Sequence, residues 1–187
     1  MQPGEPTCAE SQDFYGRRRI DDAAKFAHRR VVPAWRRHMD AEIRTKILTL
    51  LDQHRIMTIA TLRPDGWPQA TTVGYANEGL TLYFLCLRDS QKAANLARDD
   101  RVSLTIDHDT PEVMATTGLS MAARAQAVAD RDEASKVLRM LQMKFPGLSQ
   151  PLPMLSPENT KIFRVTPTII SVLDYSKGFG HTDLVTC

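Results

Sequence analysis

The chain has 187 residues, of which 42% are hydrophobic, and a formal net charge of +2, so it is long enough for one domain with a real core and an appendage. Its apolar runs are far shorter than the roughly 20 residues of a membrane-spanning helix and no signal sequence opens it, so we expect a cytoplasmic protein without a membrane partner. Three cysteines without a C-x-x-C pair argue against a disulfide framework.

Residues 1–39 are predicted to form an N-terminal extension, with a helix in DDAAKFAHRRVV that ends at Pro33. The positive excess of the chain lies in this part. Its arginine clusters are interleaved with acidic residues such as Asp21 and Asp22, and they belong to no recognition motif. We therefore favour a solvated face or a subunit contact over nucleic-acid binding.

The segment AEIRTKILTLLDQHR is predicted to be an amphipathic helix that follows a cap at Asp40. Its spacing places four apolar residues on one face: Ile43, Ile47, Leu48 and Leu51. Such a face needs a sheet to cover.

Residues 56–106 alternate strands with tight turns: IMTIATL, RPDG, WPQATTVGYA, LTLYFLCL and, after a short helix, RVSLTI. The first turn of that helix holds Ser90, Gln91 and Lys92. Unpaired backbone N–H groups and an ammonium at a helix N-terminus suit a phosphate. The alternative is a helix cap beside a surface lysine.

The second half supplies further strands and a helix. GLSMAARAQAV alternates like a half-buried strand, and KIFRVTPTIISVLDY is a long strand in which Pro167 marks a bend, a bulge or an edge. Between them a helix is predicted over 131–145, with Asp130 and Glu133 resembling a capping box. About six mostly antiparallel strands with three helices favour an α+β barrel over a doubly wound sheet.

Other polar residues carry weaker signals. The five histidines form no H-x-x-x-H or H-E-x-x-H spacing, so no dedicated metal site is expected, and His108 is assigned to a solvated loop. Cys86 lies in an apolar strand and is interpreted as a buried hydrophobe rather than a nucleophile. Residues 176–187 are predicted to be a loop or tail. Within it, 177–183 is either an ordered tail docked by Phe179 or a lid or partner contact near a ligand.

Over residues 41–175 the chain resembles the flavin-binding split barrels related to pyridoxamine 5′-phosphate oxidase. The resemblance rests on the order of the first helix, the PDG hairpin with Trp67-Pro68-Gln69, the LYFLCL strand, the Ser90-Gln91-Lys92…Asn95-Leu96 helix start, the DDRVSLTID strand and the ending DYSKGFGHTDLV. It implies a mostly antiparallel split β-barrel over 40–175. It also implies a homodimer that binds two FMN molecules at its interface.

The resemblance assigns the cofactor site by position. The strand beneath the flavin ring and phosphate tail comprises Gln69, Ala70, Thr71, Thr72 and Val73. Leu85, Cys86 and Leu87 would flank the ring, and Ser90, Gln91 and Lys92 would bind the phosphate. Thr71 stands where many relatives carry an arginine, which leaves a deazaflavin, haem or an empty site as alternatives to FMN.

The function implied is that of an FMN-dependent oxidoreductase acting on a small molecule that the sequence does not identify. The alternative is a non-catalytic flavin- or haem-binding stress-response module. The tail lacks the basic pair that binds substrate phosphate in true pyridoxamine phosphate oxidases, so vitamin B6 oxidation is a minor possibility. Apolar residues such as Val73, Tyr75 and Phe84 are expected to exceed what the helices can cover, which would favour a dimer.

Overall fold

The structure is a computed structural model that describes residues 36–37, 39–149, 156 and 158–187. The predicted N-terminal extension, apart from its last few residues, lies outside the described residues. Three helices are described, α1 (Ala41–Gln53), α2 (Gln91–Arg98) and α3 (Arg131–Lys144). The described strands are β1 (Arg36–Arg37), β2 (Ile56–Leu62), β3 (Pro68–Gly74), β4 (Ala76–Glu78), β5 (Thr81–Leu87), β6 (Arg101–Asp107), β7 (Thr117–Ala127), β8 (Thr160–Asp174) and β9 (Thr182–Thr186).

The strands form one curled, mostly antiparallel sheet. Its order is β1-β9-β8-β7-β6-β2-β3, and β5 pairs with both β8 and β4. Only the β1–β9 pair is parallel among the described ladders. No ladder joins β3 to β5, so the barrel is split between these two strands. The predicted α+β split barrel is confirmed, and the six predicted strands are joined by three short ones, β1, β4 and β9.

Helix α1 closes the barrel through its apolar face. Asp40 caps it, since its Oδ1 accepts a hydrogen bond from the Ile43 N–H at 2.8 Å. The buried residues of α1 are Ile43, Ile47, Leu50 and Leu51, whereas the predicted Leu48 is only partly buried. Each such side chain contributes about 1.5–3 kcal/mol by leaving water.

The barrel interior corrects one expectation about exposed apolar residues. Val73, Tyr75 and Phe84 are 9%, 0% and 0% exposed within a single chain. They belong to the core cluster that α1 and α2 cover, because the curled sheet encloses its own concave face. These residues therefore do not argue for a dimer.

Helix α3 packs on the opposite face of β4 and β5. Val137 and Leu141 meet Ala76 and Tyr83 in a separate apolar cluster. Asp130 caps the helix by accepting from the Glu133 N–H at 2.7 Å. The Glu133 carboxylate accepts from Arg164 at 3.0 Å and from the Tyr83 hydroxyl at 3.2 Å, which ties the first turn of α3 to the sheet.

The long strand β8 contains the predicted irregularity. Ala122 pairs with Ile169 and Ala123 with Pro167, so Thr168 is an extra residue in a β-bulge beside the proline. A bulge is one of the places where a strand tolerates proline, which has no N–H to donate to the ladder.

The C-terminal stretch differs from the predicted loop or tail because its second half is a strand. β9 pairs with β8 on one side and β1 on the other. The loop before it turns through Gly178 and Gly180, whose φ values of 134° and 77° favour glycine. None of the described helices is long and apolar enough to cross a membrane.

Candidate functional site

Strand β3 divides its five predicted site residues between two faces. Gln69, Thr71 and Val73 lie opposite the inward-facing Thr61, Ile59 and Met57 of β2. The register therefore places these three on the barrel side, because directly opposed residues share a face. Ala70 and Thr72 are exposed on the other side.

Strand β5 is divided in the same way. Cys86 contacts the main core, on the face that holds Phe84. Leu85 packs instead with the cluster beneath α3, and Leu87 is 53% exposed. The structure therefore does not bring the three predicted ring-flanking residues onto one surface of a single chain.

The start of α2 lies at the split between β3 and β5. Its Asn95 amide donates to Thr61 Oγ1 at 3.0 Å and to Gln69 Oε1 at 3.3 Å, on the β2–β3 side. On the β5 side, the Lys92 ammonium lies 5.8 Å from the centre of the Phe84 ring. The short helix thus contacts one end of β3 and the middle of β5.

Ser90 is the N-cap of α2. Its Oγ accepts from the Ala93 N–H at 3.2 Å and donates to the Leu87 carbonyl at 2.7 Å. The helix-cap reading of Ser90 is therefore what the geometry shows in the single chain. The backbone N–H groups of Gln91 and Lys92 precede the first intrahelical bond and point out of the helix start.

Lys92 is half-buried in the first turn of α2. Burial lowers its pKa, and the neighbouring Cys86 counteracts part of that shift. Within the described part of the chain, no carboxylate lies within 4.0 Å of its Nζ, and no hydrogen bond from it is found. The first turn of α2 contains no acidic residue, whereas the first turns of α1 and α3 both do.

This lysine is electrostatically out of place without a ligand. The N-terminus of a helix carries partial positive charge, which disfavours a cation in the first turn and favours an anion there. Oriented N–H groups beside an ammonium that no carboxylate of the described residues pairs are the chemistry of a phosphate site.

Thr71 provides a second observation that fits a bound group. Its Oγ1 is buried and has no hydrogen-bond partner, the one such side-chain atom among the described residues. A buried hydroxyl without a partner costs about 1–3 kcal/mol, which a polar ligand atom would offset. The residues of this region therefore fit a cofactor that has a phosphate group and polar atoms at its edge.

Asn95 is a further candidate residue of the site, and in the sequence it stands out only as part of the helix motif that carries the resemblance. It is 1% exposed and also accepts from the Gln91 amide at 2.9 Å, so it fixes Gln91 against Gln69. Gln69 and Gln91 line an open cleft of about 510 Å³ beside the β2–β3 hairpin. A polar residue at a helix position that otherwise faces the core was the available signal.

The predicted loop at 177–183 is held by one ion pair and one histidine–carboxylate contact of its own. Asp183, 7% exposed, lies 3.2 Å from His181 Nε2 and 3.5 Å from Lys177 Nζ. Phe179 contacts Tyr175, with 5.1 Å between ring centres, yet is 77% exposed. The loop is ordered without Phe179 being buried, and nothing in the single chain places it beside Lys92.

Comparison with known proteins identifies the family. The pattern described as "Pyridoxamine 5′-phosphate oxidase" matches residues 43–173. No curated protein sequence matches the chain.

Solved structures share the fold. A conserved hypothetical protein of Mycobacterium tuberculosis is 25% identical with a TM-score of 0.64, covering 78% of this chain and 90% of that one. A haem-binding protein of Mycobacterium smegmatis is 20% identical with a TM-score of 0.63, covering 74% of this chain and 55% of that one. HutZ, the haem storage protein of Vibrio cholerae, is 21% identical with a TM-score of 0.54, covering 66% and 88%. Because the two haem proteins are less than 25% identical to this chain, their likeness shows a shared fold and nothing more.

Proposed function

Because the chain belongs to the pyridoxamine 5′-phosphate oxidase family, we propose that it is an FMN-binding oxidoreductase that acts on a small molecule. The observation that carries this proposal is Lys92, a half-buried ammonium at a helix N-terminus without a carboxylate partner among the described residues. FMN is favoured over riboflavin because its phosphate supplies the missing anion.

Each part of the site has a defined task in this proposal. Lys92 Nζ and the backbone N–H groups of Gln91 and Lys92 hold the phosphate. Thr71 Oγ1 donates to a polar edge of the cofactor, and Asn95 keeps Gln69 and Gln91 in place. When bound, the flavin supplies hydride or electron transfer, while the protein supplies position and exclusion of water.

In this division of labour the flavin carries the electrons, and no protein side chain does. No described histidine, cysteine or carboxylate is assigned to proton transfer in the site, and the predicted ring-flanking residue Cys86 keeps its packing role. Substrate choice then depends on what covers the flavin face. We propose that a second copy of the chain does so, forming the homodimer expected of the family, for which light scattering should give about twice 21.0 kDa.

The decisive experiment compares FMN with riboflavin. Fluorescence titration of the wild type should give tighter binding of FMN, and Lys92→Ala should weaken FMN by about 10- to 100-fold while leaving riboflavin nearly unchanged. Lys136→Ala is the matched control, since Lys136 pairs with Glu78 on an exposed face. Equal losses for both ligands in Lys92→Ala would contradict the phosphate assignment.

A haem- or flavin-binding module without turnover is the second candidate. It is favoured by the structural likeness to a haem-binding and a haem storage protein. The visible spectrum of the purified protein distinguishes flavin, deazaflavin and haem. Anaerobic reduction with NADH or NADPH followed by reoxidation then separates an enzyme from a binding module.

A further inference from the structure

Two histidines that lie far apart in sequence meet at one end of the barrel. His54 is the C-cap of α1, and His108 lies in the loop after β6. His54 Nε2 is 3.2 Å from His108 Nδ1, and their ring centres are 5.3 Å apart. His54 is half-buried and His108 is exposed, so solvent reaches the pair.

His54 is oriented in the manner of a metal ligand. Its Nδ1 lies 2.8 Å from the Leu50 carbonyl oxygen, which can only accept, so Nδ1 carries the proton. His54 Nε2 therefore carries the lone pair of the neutral ring and accepts a hydrogen bond from His108 Nδ1, and a metal ion would take the place of that proton. A ring N–H bonded to a backbone carbonyl is the usual support of a metal-binding histidine, because it fixes the tautomer and the ring plane.

The spacing of the two nitrogens also suits a metal ion. With metal–nitrogen bonds of about 2.0–2.1 Å, nitrogens 3.2 Å apart subtend an angle of roughly 100° at the ion. That angle lies between the ideal values for square-planar and tetrahedral coordination. Asp107 and Asp109 flank His108 and add negative charge, although no group of three ligating side chains is found in the described residues.

We propose that His54 and His108 bind a divalent transition-metal ion, with water or an external ligand completing its coordination. Imidazole nitrogens favour Cu²⁺, Ni²⁺ and Zn²⁺ over Mg²⁺ or Ca²⁺, and Cu²⁺ should bind most tightly. The ion would join the end of α1 to the β6–β7 loop. This site is separate from the residues assigned to FMN and does not depend on the proposed function.

The test is titration of the full chain with Cu²⁺ and Zn²⁺, monitored by calorimetry and, for Cu²⁺, by electron paramagnetic resonance. The wild type should bind one ion per chain at this site with hyperfine structure from two nitrogens. His54→Ala and His108→Ala should each weaken binding by about tenfold or more. His181→Ala is the matched control, because His181 is a solvent-reachable histidine paired with Asp183.

The variants distinguish loss of ligand from loss of fold. His108→Ala changes an exposed loop residue, so its circular dichroism and thermal unfolding without metal should match the wild type even if the capping residue His54 does not tolerate replacement. Zn²⁺ should raise the melting temperature of the wild type and of His181→Ala but not of His108→Ala. Unchanged Cu²⁺ affinity in His108→Ala, or an equal loss in His181→Ala, would overturn the proposal.

Discussion

Lys92 and Lys144 are both half-buried lysines beside an aromatic ring, and burial lowers the pKa of both. Lys144 Nζ lies 3.9 Å from the centre of the Tyr75 ring and donates to the Leu51 carbonyl at 2.8 Å and to Asn77 Oδ1 at 3.0 Å. Lys92 has the ring of Phe84 but no protein acceptor among the described residues. Lys144 thus stabilises the fold through its hydrogen bonds, whereas the ammonium of Lys92 is available to a ligand.

A buried charge without an acceptor in the fold indicates a binding site, whereas a buried charge with acceptors has a structural role. Lys144 joins the end of α3 to the end of α1, so its charge is used within the fold. Burying the Lys92 charge without an acceptor costs free energy that folding alone does not require.

Reversing the charge of Lys92 should have the largest effect, and that effect is on FMN affinity. Lys92→Glu gives the first turn of α2 an acidic residue, as in α1 and α3, and places it against the phosphate. We expect FMN affinity to fall by about 100-fold or more, or about 3 kcal/mol, with riboflavin affinity changed by less than about threefold. Fluorescence titration measures both. An FMN affinity within about threefold of the wild type would show that no anion binds at this helix start.

Replacing Lys144 should lower the stability of the fold and leave FMN affinity unchanged. Lys144→Met keeps the apolar stem but loses both hydrogen bonds, so we expect the free energy of unfolding in urea to fall by about 2 kcal/mol. The Leu51 carbonyl keeps its bond from the Tyr75 hydroxyl, at 2.8 Å, which limits the loss. FMN affinity should stay unchanged. A weakened FMN affinity at wild-type stability would assign Lys144 to the site.

The protonation of Lys144 provides a pH test. Burial lowers its pKa from 10.5 to about 8, so between these values the unfolded chain holds a proton that the folded chain has lost. The unfolding free energy of the wild type should therefore rise relative to Lys144→Met as the pH increases. Between about pH 7 and pH 9.5 we expect a gain of about 1 kcal/mol, allowing for solvent screening. Parallel urea curves for the two proteins at every pH would contradict the shift.

Replacing Lys92 by an apolar residue should have the smallest effect. Its effect on stability should be opposite in sign to that of replacing Lys144. Lys92→Met removes a half-buried charge that no described residue pairs. The free energy of unfolding of the cofactor-free protein in urea should therefore be unchanged or higher by about 0.5 kcal/mol. The matched comparison is Lys144→Met. A loss of more than about 1 kcal/mol in Lys92→Met would mean that its charge is already used within the fold.

The secondary structure was largely predictable because it depends on local periodicity. The caps Asp40, Ser90 and Asp130 mark the three described helices, and alternation marks β2, β3, β5, β6, β7 and β8. The strand β9 was missed, since TDLVT is short and follows a glycine-rich turn. Its pairing comes from the edge of β8, which is a tertiary property.

The site was only partly predictable from sequence. The helix start and its lysine follow from local spacing, and the alternation of β3 already separates Gln69 and Thr71 from Ala70 and Thr72. Which of these faces turns inward depends on the partner strand. The acceptors of Lys144 and the approach of His54 to His108 depend on how distant elements pack, which no spacing in the chain reveals.

Strand β8 also decides when the molecule can fold during synthesis. It lies late in the chain and pairs with β5 and β7, joining residues as distant as Leu82 and Val165. Until β8 leaves the ribosome, both neighbours carry unpaired edges, and the apolar faces of β5 are open to other chains. We therefore expect a slow, late closure of the barrel.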